Sequence, residues 1–494
     1  MGFKNVDRLQ LHPTNIVLTF VMRIAIGFHK TTGERNRPVV QSPRGFVHLA
    51  KKTIIEMKTE YLKKIFFNCS LSALIINIPA TALGTGRGEG VAYEASGVAT
   101  VEFRHEAAQD RRETTVPGCV VCHLGAAERL ILSFDVIGGN TESLYYSFAH
   151  CNADWQPSDL MEMEYMDGFN RIYDEEECSM SFNTTTAYAH YELTISTAPL
   201  MASGNYMVEV RRTRDDAMLV RVPMWMSEEL CGVASRVERK ESTQDVELAV
   251  IWPDHGISSP ETQMTVAVWQ NKRIDDLRKA DGPTFVRRDE IVYQSQSEFS
   301  FCGGTEWRWL DTRSIRLPGI SGSRVEYVTP MYHYTMATDN TPRAYTYRED
   351  FNGGSWVETR DRRDGAAEVV ADYGMAHYTF APEDPALLGN GEVYVLGDAT
   401  GWEPSAGNRL TPDPRSMTFT GQHLVKQGLH NYLYASRKIG ETRAPQTEVT
   451  EGCYGDTEND YYIAVYARRP GETYDHLVAM RRHNTLKTRN DFVM

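Results

Sequence analysis

The most chemically suggestive run in the chain is His150-Cys151-Asn152-Ala153-Asp154-Trp155. An imidazole, a thiol, an amide and a carboxylate in sequence could supply a cysteine nucleophile with its base. Strand geometry argues against that pairing, because adjacent strand residues point to opposite faces and His150 cannot reach Cys151. The run reads instead as a strand entering a turn, with Asn152 and Asp154 bonding backbone amides and Trp155 packing. Cys119-Val120-Val121-Cys122-His123 matches the C-x-x-C-H pattern of covalent haem attachment. Such a motif normally opens a helix, whereas here it lies in an extended run between Pro117 and the apolar stretch Leu130 to Val136. Two buried thiols are the preferred reading. A third candidate is Trp402, in the loop after Gly397-Asp398, whose indole could stack on a sugar or cover a sheet edge. The chain contains no H-E-x-x-H, G-x-S-x-G, S-x-x-K or Walker pattern. No catalytic, metal-binding or cofactor-binding set is expected.

The elements that must carry these residues are strands. Ala99 to Phe103 and Tyr206 to Val210 alternate apolar and polar positions, and Gly138-Gly139-Asn140 and Ser203-Gly204-Asn205 supply turns. A second set follows a polar linker near 227–244: Val246 to Trp252, Thr265 to Trp269, Ile291 to Tyr293 and Tyr327 to Tyr334. A third begins near 379 with Glu392 to Leu396 and includes Tyr461 to Tyr466. No helical period is sustained over four turns after residue 82. The expected fold is all-β, a tandem of immunoglobulin-like β-sandwich domains over 83–228, 229–378 and 379–494. The last resembles the early-set domains that accompany starch-active enzymes, which gives the alternative reading of a glycan-binding envelope protein using Trp402.

Charge and cysteine usage bear on location. The chain has 494 residues and a net charge of −14, and an acidic surface repels phosphate backbones, so nucleic acid is not expected as a partner. Residues 1–82 carry 12 Lys and Arg against 4 Asp and Glu, which leaves −22 for the remainder. Within that basic prefix, Met57 precedes Lys58, Lys63 and Lys64, an apolar run from Ile65 to Ile78, and Ala80-Thr81-Ala82. This is the layout of a secretory signal peptide at 57–82 and too short for a membrane span. Residues 1–56 are then an upstream extension outside the mature protein. Beyond Cys69 the chain has seven scattered cysteines, an odd number with no visible disulfide framework.

One longer pattern runs through these elements. It includes Tyr145 to Ser158, Tyr165-Met166-Asp167-Gly168-Phe169, Ser181 to Thr184, and Ser203-Gly204-Asn205-Tyr206. It continues through Trp269-Gln270-Asn271, Gly303-Gly304-Thr305-Glu306-Trp307-Arg308, Glu451-Gly452, Thr457-Glu458-Asn459 and Tyr474 to Leu477. In order, and across nearly all of residues 95–480, this resembles the plug proteins of the Bacteroidetes type IX secretion system. The departures are Thr305 and the cysteines at 119, 122 and 302. The resemblance implies a non-enzymatic periplasmic protein, associated with the outer membrane without spanning it. Its partner would be the large translocon barrel, whose periplasmic opening it closes while no shuttle partner is docked. No residue is carried over as a functional site, and the matched residues are expected to be structural.

Overall fold

The computed structural model describes residues 91–107, 119–139, 141–173, 177–252, 257–320 and 322–486. The extension at 1–56, the signal peptide at 57–82 and the Gly-rich leader at 83–90 lie outside the described residues. Among the described residues the α-helices are single turns, and strands carry the architecture.

The first sandwich faces two sheets across one core. One sheet runs Tyr93–Glu94, Met218–Ser227, Gly204–Arg212 and Leu144–Cys151, with Val121–His123 added in parallel to Met218–Ser227. The other runs Val98–His105, Arg129–Ile137, Tyr188–Ser196 and Glu177–Met180. Period-two alternation decides which side chains meet between them. Leu130, Leu132 and Phe134 pack toward Tyr206, Val208 and Val210, and all six are fully buried.

In the second sandwich, Gly232–Arg239, Thr243–Ile251, Glu290–Tyr293 and Phe285–Val286 form one sheet, with Ser300–Cys302 also on Thr243–Ile251. Arg278–Lys279, Met264–Gln270, Asp460–Ala467 and His476–Asn484 form the other. Its inner layer therefore comes from both ends of a long stretch of chain: Met264 pairs with Ala467 and Gln270 with Tyr461.

The third sandwich lies between those ends. Arg308–Asp311, Ser355–Val357 and Glu392–Leu396 pair with Gly428–Arg437. They face a sheet built on Met331–Thr335, Tyr373–Ala381 and Thr418–Lys426.

These pairings correct the expected division into 229–378 and 379–494. A cut there would sever strand Tyr373–Ala381, which bonds Thr418–Lys426 along one edge and Met331–Thr335 along the other. It would also assign Asp460–Ala467 and His476–Asn484 to the wrong sandwich. The third sandwich is an insertion in the second, because its two connections leave and re-enter one sandwich. They are joined by a disulfide between Cys302 and Cys453, with a Cα–Cα distance of 5.4 Å. The pair closes a sequence separation of 151 residues.

A cross-link over so long a loop removes unfolded-state entropy equivalent to about 3–5 kcal/mol. Replacing both cysteines by alanine is expected to lower the thermal midpoint and to make the connections at 303–307 and 438–459 sensitive to limited proteolysis. An unchanged midpoint and cleavage pattern would show that the disulfide does not restrain the insertion.

Candidate functional site

The residues singled out in the sequence gather at the two places where one sandwich meets the next. At the first junction, His150 and Cys151 indeed diverge. His150 turns toward Tyr206, Tyr165 and Tyr474, with ring separations of 4.9, 5.7 and 5.2 Å. Its Nε2–H donates to the Ser203 carbonyl at 2.9 Å, which leaves Nδ1 to accept from the Ser158 hydroxyl at 2.7 Å. Burial holds this imidazole below its ordinary pKa, in the neutral form that the two bonds require. Gly204 (φ +136°) passes so close that a Cβ there would lie 2.6 Å from His150 Nε2.

Cys151 points the other way, into a cluster with Trp155, Trp225, Trp269 and Tyr462. Burial pushes its thiol up to about 11, so it is no thiolate nucleophile at neutral pH. The turn after it seats the indole. Trp155 N–H donates to Asn152 O at 2.9 Å, Asp154 Oδ1 accepts from Gln156 N, and Trp155 lies edge-on to Trp225 at 5.1 Å. Trp225 stacks on Trp269 at 5.5 Å, and Trp269 on Tyr462 at 5.6 Å. The aromatic series thus begins in the first sandwich and ends in the second. Hydrogen bonds run beside it: Tyr466 Oη donates to Asn205 Oδ1 at 2.8 Å, and Asn205 Nδ2 to Asn152 O at 3.0 Å.

The second junction is the root of the insertion. Asn459 Nδ2 donates to Gln244 Oε1 and Gly303 O, while its Oδ1 accepts from Asn271 at 3.0 Å. Gln270 Nε2 donates to Cys302 O at 3.1 Å and to Tyr461 Oη. The Gly304 carbonyl accepts from Tyr454 N and Thr457 Oγ1. At Gly303 a Cβ would lie 2.0 Å from the Tyr454 carbonyl, so only glycine lets the outgoing and returning strands pass. The Arg308 guanidinium binds Glu451 in a two-point pair at 3.0 and 2.8 Å, beside Gly452 and the disulfide. Three carboxylates also collect here: Glu306, Asp350 and Glu458. Burial, reinforced by Glu306 and Glu458, pushes Asp350 up to about 7. All three are occupied with structure. Asp350 accepts from Trp307 N and Asn352 N, Glu306 from Tyr345 Oη and Glu458 N, and Glu458 from Asn484 Nδ2.

A third contact escaped the sequence reading, since it rests on one lysine and one aspartate far apart in the chain. Lys426 of the third sandwich pairs with Asp135 of the first, and both are essentially buried. Asp135 also accepts from Tyr373 Oη at 2.6 Å and faces His190 Nδ1 at 2.7 Å. A cavity of about 250 Å³ lies where the three sandwiches meet, lined by groups such as Thr100, His190, Lys272, Trp356, Lys426 and Arg482.

Trp402 is 7% exposed, donates its Nε1–H to Asp398 at 2.6 Å and packs edge-on to Trp307, so its ring serves as a packing element. Cys122 sits in the first core, whereas Cys119 packs against the Trp269 cluster; the two thiols belong to different layers and cannot grip one haem. Glu128 lies between His105 Nδ1 (3.1 Å) and His123 Nδ1 (3.0 Å), next to Cys122. These donors have metal-ligand chemistry, but the carboxylate already pairs with both imidazoles. Gly168 lies in an exposed loop of the first sandwich, three residues beyond Tyr165.

The fold and these contacts define a structural β-sandwich body whose distinctive polar and aromatic side chains bind its own parts together. Residues 98–227, the first sandwich, match the family model described as "Type 9 secretion system plug protein 1st domain". The chain therefore carries that plug domain, as the sequence resemblance implied, and its role lies in type IX secretion. A crystal structure of a hypothetical protein from Parabacteroides merdae ATCC 43184 is similar, with a TM-score of 0.72 and 25% identity. The match covers 79% of this chain and 98% of that one. No curated protein of known function matches. Among the described residues no helix is long and apolar enough to cross a membrane.

Two measurements check these buried contacts. Trp225→Ala removes the middle of the aromatic series and is expected to cost about 3–5 kcal/mol. It should also split calorimetric unfolding into separate transitions for the first sandwich and the rest; one unshifted transition would mean the series does not couple them. The second is pH. Burial holds His430, whose Nε2–H donates to Lys426 O, down at about 4. The unfolded state takes up this proton near the ordinary value of about 6.5. The stability that His430 contributes is thus full above pH 6.5 and falls as pH drops toward 4. Urea midpoints should follow that decline, and His430→Asn should flatten it; an equally steep decline in the variant would assign it elsewhere.

Proposed function

We propose that the protein is a non-enzymatic periplasmic plug. It binds the periplasmic opening of the type IX outer-membrane translocon and occludes it while no shuttle partner is docked. The single observation that carries this reading is the plug-domain match over residues 98–227. The build supports it. Occluding a wide opening requires volume and stiffness more than reactive groups, and three sandwiches fixed to one another by buried aromatic, hydrogen-bonded and ionic contacts supply both. His150, Cys151, Asp350 and Glu458, which could do chemistry, are engaged in holding the fold. Export through the segment 57–82 would deliver the body to the periplasm.

Detergent extraction of outer membranes is expected to bring the protein down with the translocon barrel, with a mature N-terminus beyond Ala82. Deleting it should raise permeability to large antibiotics, and expressing residues 57–494 should restore the barrier. Recovery only as a free protein, with no change in permeability on deletion, would refute the proposal.

A further inference from the structure

Residues 152–173, which follow strand Leu144–Cys151, present large apolar side chains to solvent. Met161 is 69% exposed, Met163 77%, Phe169 91% and Tyr173 59%. Isolated exposed apolar residues are ordinary, but four in one loop are not. Connections of this length without extended secondary structure are commonly functional.

The backbone beneath them is held firmly. Tyr165 and Met166 are buried, and Tyr165 Oη donates to Phe148 O at 3.1 Å. Asn170 spans the Phe148 peptide, its Oδ1 accepting from Phe148 N and its Nδ2 donating to Phe148 O, each at 2.7 Å. Ile172 exchanges backbone bonds with Tyr146 at 2.9 and 3.0 Å, and Met201 N–H donates to Tyr165 O. The loop thus anchors Tyr165 and Met166 in the core while holding Met161, Met163, Phe169 and Tyr173 outward. An apolar set on a preorganised backbone loses little entropy on binding, which is what an interface requires.

The charge around this set selects the occupant. Asp159, Glu162, Glu164 and Asp167 are all exposed. Among the described residues of this loop, Arg171 lies over the Tyr145 ring at 4.0 Å and reaches Asp216 at 3.7 Å. An acidic rim repels an anionic lipid surface and the same loop of a second copy. It attracts a protein surface with basic groups around apolar pockets, and methionine side chains adapt readily to such pockets.

We propose that this loop is the docking surface for the translocon, met there by a basic, apolar-pocketed protein face. The inference rests on the plug reading. Its test uses the full mature chain, purified translocon barrel and vesicles of phosphatidylglycerol and phosphatidylethanolamine. Met163→Ser/Phe169→Ser alters only exposed side chains, so its thermal midpoint should match the parent. Its affinity for the barrel is expected to fall about a hundredfold. Asp159→Lys/Glu162→Lys should weaken binding most at low salt. A parent that binds the barrel with both variants equal to it would overturn this docking surface and leave the plug reading standing. A parent that fails to bind the barrel would remove the plug reading and the docking surface together. Vesicle binding by the parent that is lost in Met163→Ser/Phe169→Ser, with barrel binding unchanged, would assign the loop to lipid and overturn the proposal.

Discussion

The joining of the three sandwiches depends on one strand, Asp460–Ala467, being buried on both faces. On one side Tyr461, Ile463 and Val465 complete the core of the second sandwich. On the other, Tyr462, Ala464 and Tyr466 meet the aromatic series from the first. At its start, Asp460 holds the root of the insertion, accepting a two-point bond from Arg482 and a third from Asn352 Nδ2. One strand thus closes a core, forms a junction and anchors the third sandwich.

This explains which parts of the fold were legible in the sequence. The first sandwich was readable because its strands pair within a short stretch of chain and keep one wet face, so Tyr206 to Val210 alternates visibly. In the third, Glu392 to Leu396 was readable as a strand although Val393 to Leu396 are buried on both faces, because Gly397-Asp398 marks its end. The second was misassigned because Asp460–Ala467, dry on both faces, reads as an uninterrupted apolar run. Such a run gives no register and names no partner. Its true neighbour, Met264–Gln270, lies across the whole insertion, and sequence proximity pointed to the wrong sandwich.

The candidate site was legible in its residues but not in their use. His150, Trp155, Asn205, Asn271, Gly303 and Asn459 stand out as types that do chemistry or permit close approach. The structure spends them on the seams between sandwiches, where buried polar groups must be satisfied and backbones must pass closely. Lys426 and Asp135 left no signal, because a lysine on a strand normally reads as solvent-facing. Only the packing of the third sandwich against the first takes that charge out of water, and the aspartate partner compensates it.

The insertion also sets an order in time. A chain that emerges from its N-terminus can finish the first sandwich as soon as Ser227 is out, since every strand of it is then present. The second cannot close: Met264–Gln270 must wait with one edge unpaired until Asp460–Ala467 arrives. The chain of the third sandwich lies wholly within that interval, between Cys302 and Cys453. The part completed last is therefore the middle of the molecule, and a chain cut short before residue 460 would carry a finished first sandwich beside an open, adhesive sheet.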